Sequence, residues 1–134
     1  MAKTPLDKQI EKARKEAQRN AYKEELRQRA ASIVSSQPII NGVRIIDDTA
    51  ETVLNCLLEN CKDSSTGHVS YDNDIFPQAV SRSIGLEIEK LIQYGMVTSY
   101  IPWANGGMLN LLPCSFSYFE RKATAQAMSL ASTT

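Results

Sequence analysis

In 134 residues the sequence holds one histidine, one tryptophan, three cysteines and no apolar run longer than a few residues. Each scarcity excludes something. A bilayer span needs roughly 20 consecutive apolar residues, and no apolar block follows the N-terminal lysines, so neither a membrane segment nor a secretory leader is expected. Cys56, Cys61 and Cys114 are odd in number and fall inside apolar-periodic segments. That pattern fits a reducing, cytoplasmic setting better than a disulfide framework.

The same scarcity bears on chemistry. Three cysteines and His68 would suffice for a four-ligand zinc site, but on one continuous helix Cys56 and Cys61 diverge by about 140°. No metal is expected, and Cys61 and Cys114 read as core thiols. With His68 the only histidine, a nucleophile–base pair would require a tertiary contact that the spacing does not announce. Asp47-Asp48 and Asp72-Asp74 read as a helix cap and a loop. Asn105-Gly106-Gly107 precedes a strand, not a helix, and so is no phosphate loop. The expectation is a non-enzyme with no catalytic residues, no cofactor and no small-molecule substrate.

What the chain does have is an uneven charge distribution beneath a net charge of zero. Residues 1–46 carry ten Lys and Arg against five Asp and Glu, and residues 47–134 carry five against ten. From Lys3 to about Ser32 the residues are strong helix formers, with Thr4-Pro5 as a start signal. The apolar positions Leu6, Ile10, Ala13, Ala17 and Ala21, then Tyr22 and Leu26, keep helical spacing but are mostly alanine. A basic helical arm over residues 1–36 follows, separable from the body at Ser35-Ser36-Gln37-Pro38.

Residues 37–46 place β-branched pairs on either side of Asn41-Gly42, the signature of a tight hairpin. Asp48 and Glu51 then open a helix whose Ala50, Leu54, Leu57, Leu58 and Cys61 share a face. His68 to Tyr71 suits a short strand. Pro77 to Tyr94 reads as helical with a break near Ser81 or Ser83, Ile84, Ile88 and Leu91 lying on one face. Val97–Ile101 and Met108–Leu112 read as a hairpin turning at residues 102–107. Pro113 opens a last helix carrying Phe116, Phe119 and Ala123, and a frayed tail is expected over residues 125–134.

Several of these segments resemble the winged-helix family, in its small bacterial and phage form. Ala79-Val80-Ser81-Arg82-Ser83-Ile84 is similar to the turn before a recognition helix, and Leu91-Ile92-Gln93-Tyr94-Gly95-Met96-Val97 to the exit from one. Asn105-Gly106-Gly107 would be the wing tip. Leu111-Leu112-Pro113 through Tyr118-Phe119-Glu120 resembles the family's ending. The resemblance implies an α+β winged-helix body over residues 47–124, with two departures: Asp72–Gln78, the place of the second helix, holds Pro77 and little periodicity, and Gly85 interrupts the third helix.

Winged-helix proteins mostly read duplex DNA with the outer face of that third helix. Here that face is expected to present Arg82, Leu86, Glu89 and Gln93, flanked by Lys90. Leucine and glutamate suit phosphates poorly. Two functions therefore stand side by side. One is a regulatory or adaptor-like module that uses the winged-helix body and the helical arm to bind a protein or a second copy of itself, as a homodimer, with Leu86, Glu89, Gln93 and Trp103 as candidate contacts. The other is a DNA-binding regulator using Arg82 and Lys90 together with Arg14, Lys15, Arg19 and Lys23 of the arm. Acids interleaved along the arm equally suit an ordinary solvated helix.

Overall fold

A computed structural model describes residues 4–132. Residues 1–3 of the expected arm, with Lys3 where its helix was expected to begin, lie outside the described residues. Over the described residues the fold is α+β, with four α-helices and two small antiparallel sheets. Helix α1, Pro5–Ser35, begins with a reciprocal cap: Asp7 N–H donates to Thr4 Oγ1 at 3.2 Å and Thr4 N–H to Asp7 Oδ2 at 3.3 Å. Both bonds satisfy donors that an uncapped helix start leaves unpaired. Strands β1, Ile39–Ile40, and β2, Val43–Arg44, pair as the expected hairpin. Its turn places Asn41 at φ 48° and Gly42 at φ 83°, dihedrals that asparagine and glycine adopt at least cost.

Helix α2, Asp48–Glu59, buries Ala50, Val53, Leu54 and Leu57. Cys61 lies beyond its end, so the divergence expected between Cys56 and Cys61 is not that of two positions on one helix. The Cys61 thiol instead reaches the carbonyls of Asp63 and His68 at 3.4 and 3.8 Å. Strand β3, His68–Asp72, alternates exposed and buried residues and puts Val69 and Tyr71 inward. Where a second body helix was in doubt, two single 3₁₀ turns stand, Asn73–Ile75 and Gln78–Val80. Pro77 caps the second of these and has no N–H to continue a helix from the first.

Helix α3, Ile84–Gln93, follows, then strands β4, Val97–Trp103, and β5, Gly106–Leu111. The three-stranded sheet has the order β3-β5-β4. The β4–β5 turn is tighter than expected, since Trp103 pairs with Gly106 and only Ala104 and Asn105 lie between them. Gly106 and Gly107 are thus strand residues. A Cβ on Gly106 would collide with the Tyr71 carbonyl and come within 2.8 Å of the Trp103 indole nitrogen. One on Gly107 would meet the Tyr71 hydroxyl at 2.7 Å. These glycines serve close packing, not a turn.

Helix α4 runs from Pro113 to Ser132, with Ala125 buried. The tail expected to fray from residue 125 is therefore helical through Ser132. The core draws on every body element, with Ile46, Leu54, Leu57, Val69, Ile88, Leu91, Leu109 and Tyr118 all but fully enclosed.

The arm requires a correction. Among helix pairs, α1 and α3 share the most extensive contact, and α1 buries Ala30 and Val34. The Arg44 guanidinium closes its end by donating to the carbonyls of Val34 and Gln37 at 2.9 and 3.1 Å. Helix α1 ends where its sequence breaks, but its C-terminal part is packed against the body. From Thr4 to Glu25 every residue except the half-buried Glu11 is exposed, and that stretch alone has the character of an arm.

Candidate functional site

Two regions gather polar and charged side chains around α3. The first is a stitched network where α2 begins. The Lys90 ammonium, on α3, donates to Asp47 Oδ2 at 2.6 Å and Thr49 Oγ1 at 3.2 Å, and forms an ion pair with Glu87. Thr49 in turn donates to Glu87 Oε1 at 2.9 Å, and Ser83 to Glu87 Oε2 at 2.9 Å. Tyr94 donates to Asp47 Oδ1 at 2.6 Å while accepting the Asp47 N–H at 3.2 Å.

Burial pulls the Asp47 carboxyl upward, but hydrogen bonds from Lys90 and Tyr94 and the Lys90 charge outweigh it and hold the group below its ordinary value. For Lys90 burial acts downward, and the bonds and charges of Asp47 and Glu87 outweigh it, raising the ammonium above its ordinary value. Each group stays ionised because of the other. Lys90, expected on the exposed flank of α3 as a phosphate contact, is in fact buried inside this network. A cation so enclosed has no path to a phosphate.

The second region is a cleft of about 310 Å³ between α1, α3 and β4. It is lined by Arg19, Tyr22, Lys23, Leu26, Arg27, Gly85, Glu89, Tyr100 and Pro102. Gly85, which costs about 1 kcal/mol relative to alanine inside a helix, has its use here. A Cβ at Gly85 would already be in contact with the Leu26 side chain, 3.9 Å away, and any longer side chain would enter the space α1 occupies. On α1, Tyr22 and Leu26 are one turn apart, as are Arg19, Lys23 and Arg27, so apolar and basic rows run side by side over the opening. Glu89 is the one acid in the lining. Burial raises its carboxyl, and the charges of Arg27 and Lys23 oppose the rise.

A distortion of β4 shapes the third wall. Its pairing with β5 shifts between Thr98 and Ile101, and Ser99 between them has φ 57°, unusual outside glycine. Such a bulge re-aims the neighbouring side chain. Tyr100 is accordingly half-buried against the cleft, whereas Ile101 and Trp103 stay about half exposed, at 51% and 47%.

The residues expected to act together thus separate. Glu89 faces α1. Leu86 is half-buried, while Gln93 at the end of α3 and Arg82 in the turn before it are exposed. Arg19 and Lys23 rim the cleft, and Arg14 and Lys15 are exposed further out on α1. Tyr22, Leu26, Gly85 and Tyr100 had not been singled out as a site. The signal for them was the four-residue spacing of Arg19, Lys23 and Arg27 beside Tyr22 and Leu26, joined to a helical glycine otherwise hard to justify.

Among the described residues no three His, Cys, Asp or Glu side chains converge as metal ligands, and no helix is long and apolar enough to cross a membrane. No protein-family model, curated protein or solved structure matches the chain.

Proposed function

We propose that the chain is a winged-helix module without enzymatic activity, regulatory or adaptor-like, that binds a protein partner or a second copy of itself through α1. The element order α2, β3, 3₁₀ turns, α3, β4, β5 supports the winged-helix reading, the turns standing for the family's second helix. The observation that carries the function is the free half of α1. It holds out Leu6, Ile10 and Tyr22 at 64%, 51% and 62% exposure on a helix whose other half is already packed. An isolated, solvated helical segment of that kind is marginal in water, and a second apolar surface would stabilise it. Met128 and Leu130, exposed at 58% and 70% near the end of α4, offer another apolar surface.

The same packing weakens the rival reading. In a DNA-reading winged helix the outer face of α3 must enter the major groove. Here α1 lies against that helix at Gly85 and Glu89, and Lys90 is enclosed. What favours DNA is the row Arg14, Lys15, Arg19 and Lys23 with the exposed Arg82, a phosphate-tracking set that needs no groove-reading helix. Sedimentation equilibrium and fluorescence anisotropy with a random duplex separate the two. A dimer or higher species at tens of micromolar, lost in a Leu6→Glu/Ile10→Glu variant, supports the first reading. A monomer that binds duplex with a steep salt dependence replaces it with the second.

A further inference from the structure

From the cleft between α1, α3 and β4 we infer a binding site for a small organic anion with a flat apolar body, such as an aromatic carboxylate, its ring between Tyr22, Leu26 and Pro102 and its charge toward Lys23 and Arg27. The inference goes beyond the proposed macromolecular binding and stands whether or not that reading holds.

Four observations converge on it. The volume, about 310 Å³, lies at the lower end of the roughly 300–1,000 Å³ of small-molecule sites and suits one or two fused rings. The lining is predominantly apolar, yet three cations and a single carboxylate border it, leaving an excess of positive charge that selects an anion over a neutral or cationic molecule. The space depends on a glycine, since any side chain longer than a methyl at position 85 would project into the gap that separates α3 from Leu26. The strand that supplies Tyr100 is bulged at Ser99, a left-handed non-glycine residue, and that conformation directs the phenol inward.

Tyr71 makes the fourth observation specific. Its hydroxyl is the one buried side-chain oxygen or nitrogen among the described residues without a hydrogen-bond partner. Burial, then the charge of Tyr100 and hydrogen bonding to it, raises the pKa of Tyr71, so the two phenols lie side by side, in a geometry that falls short of a full hydrogen bond. A buried hydroxyl short of a full partner carries a desolvation cost that a well-placed acceptor relieves. A carboxylate in the cleft gives Tyr100 an acceptor for its proton, and the Tyr100 oxygen is then oriented to accept from Tyr71. Ligand, Tyr100 and Tyr71 would form one chain of donors ending on the anion, each bond polarising the next. Glu89 sets the opposite limit: it repels a second negative charge near α3, so the anion is held at the α1 side.

The test is titration of the ¹⁵N-labelled full chain with 2-naphthoate, and in parallel with the uncharged 2-naphthylmethanol, followed by amide chemical shifts. Saturable shifts at Tyr22 to Arg27, Gly85, Glu89 and Tyr100, with a dissociation constant below about 1 mM and at least ten-fold weaker binding of the alcohol, are expected. Lys23→Glu/Arg27→Glu, both exposed and outside the core, should weaken naphthoate at least ten-fold and keep a cooperative melt. Tyr100→Phe should weaken it several-fold, and Gly85→Leu should abolish it. Equal affinity for acid and alcohol, indifference to the charge reversal, shifts centred on Ile101 and Trp103, or no saturation by about 5 mM would each overturn the site. Because Gly85→Leu also risks displacing α1, the charge reversal and Tyr100→Phe decide when that variant melts early.

Discussion

Lys90 Nζ lies 2.6 Å from Asp47 Oδ2 across the junction of α3 and α2, with side-chain exposures of only 5% and 17%. Glu87, at 3%, shares the same ammonium. One cation therefore serves two nearly enclosed carboxylates, and its removal leaves both uncompensated. Breaking a buried pair from one side typically costs about 3–5 kcal/mol, because the remaining charge keeps its desolvation penalty. Lys90→Met should lose stability on that order in urea denaturation. A loss under about 1 kcal/mol, the range of an exposed pair, would show that water reaches the network.

The same pair sets a pH dependence with a definite sign. Asp47 is depressed below its ordinary 3.8 in the folded chain. Its contribution is therefore fully present above that value and lost as pH falls through the lower folded one. Lys90 is raised above 10.5, so its contribution is fully present below 10.5 and lost as pH rises through the higher folded value. Asp47→Asn should be less stable than the parent at neutral pH. The gap should begin to narrow below about pH 4, where the unfolded chain's carboxyl protonates, and close once pH passes the lower folded value and the parent's carboxyl is protonated in both states. A gap that stays constant from pH 6 down to pH 3 would show that the loss does not come from the charge of the carboxylate.

Truncation distinguishes the two halves of α1. A chain beginning at Gln18 discards, among the described residues, only turns outside the core and should melt with the full protein. One beginning at Gln37 discards Leu26, Ala30, Ile33 and Val34, two of them buried and two partly so. Fully burying one large aliphatic side chain contributes about 1.5–3 kcal/mol, so a loss of roughly 3–5 kcal/mol is expected from the second cut. Coincident melts for both chains would restore a fully separable arm.

What the sequence made legible was local. The β1–β2 turn follows from Asn41-Gly42, because the dihedrals it requires belong to those two residues. The core face of α3 follows from Ile84, Ile88 and Leu91. What stayed hidden depended on residues far apart in sequence. Lys90 looked like a surface flank because a helical wheel ends at the helix, and its partner Asp47 stands 43 positions away. Ser35 to Pro38 marks where a helix stops, which says nothing about what the preceding turns touch. The role of Gly85 becomes visible only once Leu26 is seen above it, and that of Gly106 only with β3 alongside.

A second stitch repeats the Tyr94 arrangement at the other side of α2. Tyr118, fully buried on α4, accepts the Ile46 N–H at 2.8 Å and donates to Glu51 Oε2 at 2.5 Å, and Lys122 reaches the same carboxylate at 2.7 and 2.9 Å. One phenol thus satisfies a buried backbone donor and shares a carboxylate with a cation, tying α4 to the start of α2. Tyr118→Phe keeps the ring and its edge-to-face contact with Phe119, at 5.1 Å between centroids, so packing is retained and only the hydroxyl is lost. The Ile46 N–H is then left buried without its acceptor, at a cost of about 1–3 kcal/mol. Lys122→Met, at a side chain 22% exposed, should cost less, because Tyr118 still donates to Glu51. The two changes share Glu51, so their effects should not add. Once Tyr118 stops donating, the carboxylate depends more on Lys122, and the double variant should be less stable than the sum of the single losses predicts. Urea denaturation of the four chains in a double-mutant cycle measures that coupling. Strict additivity would mean that Glu51 is solvated well enough to need neither partner.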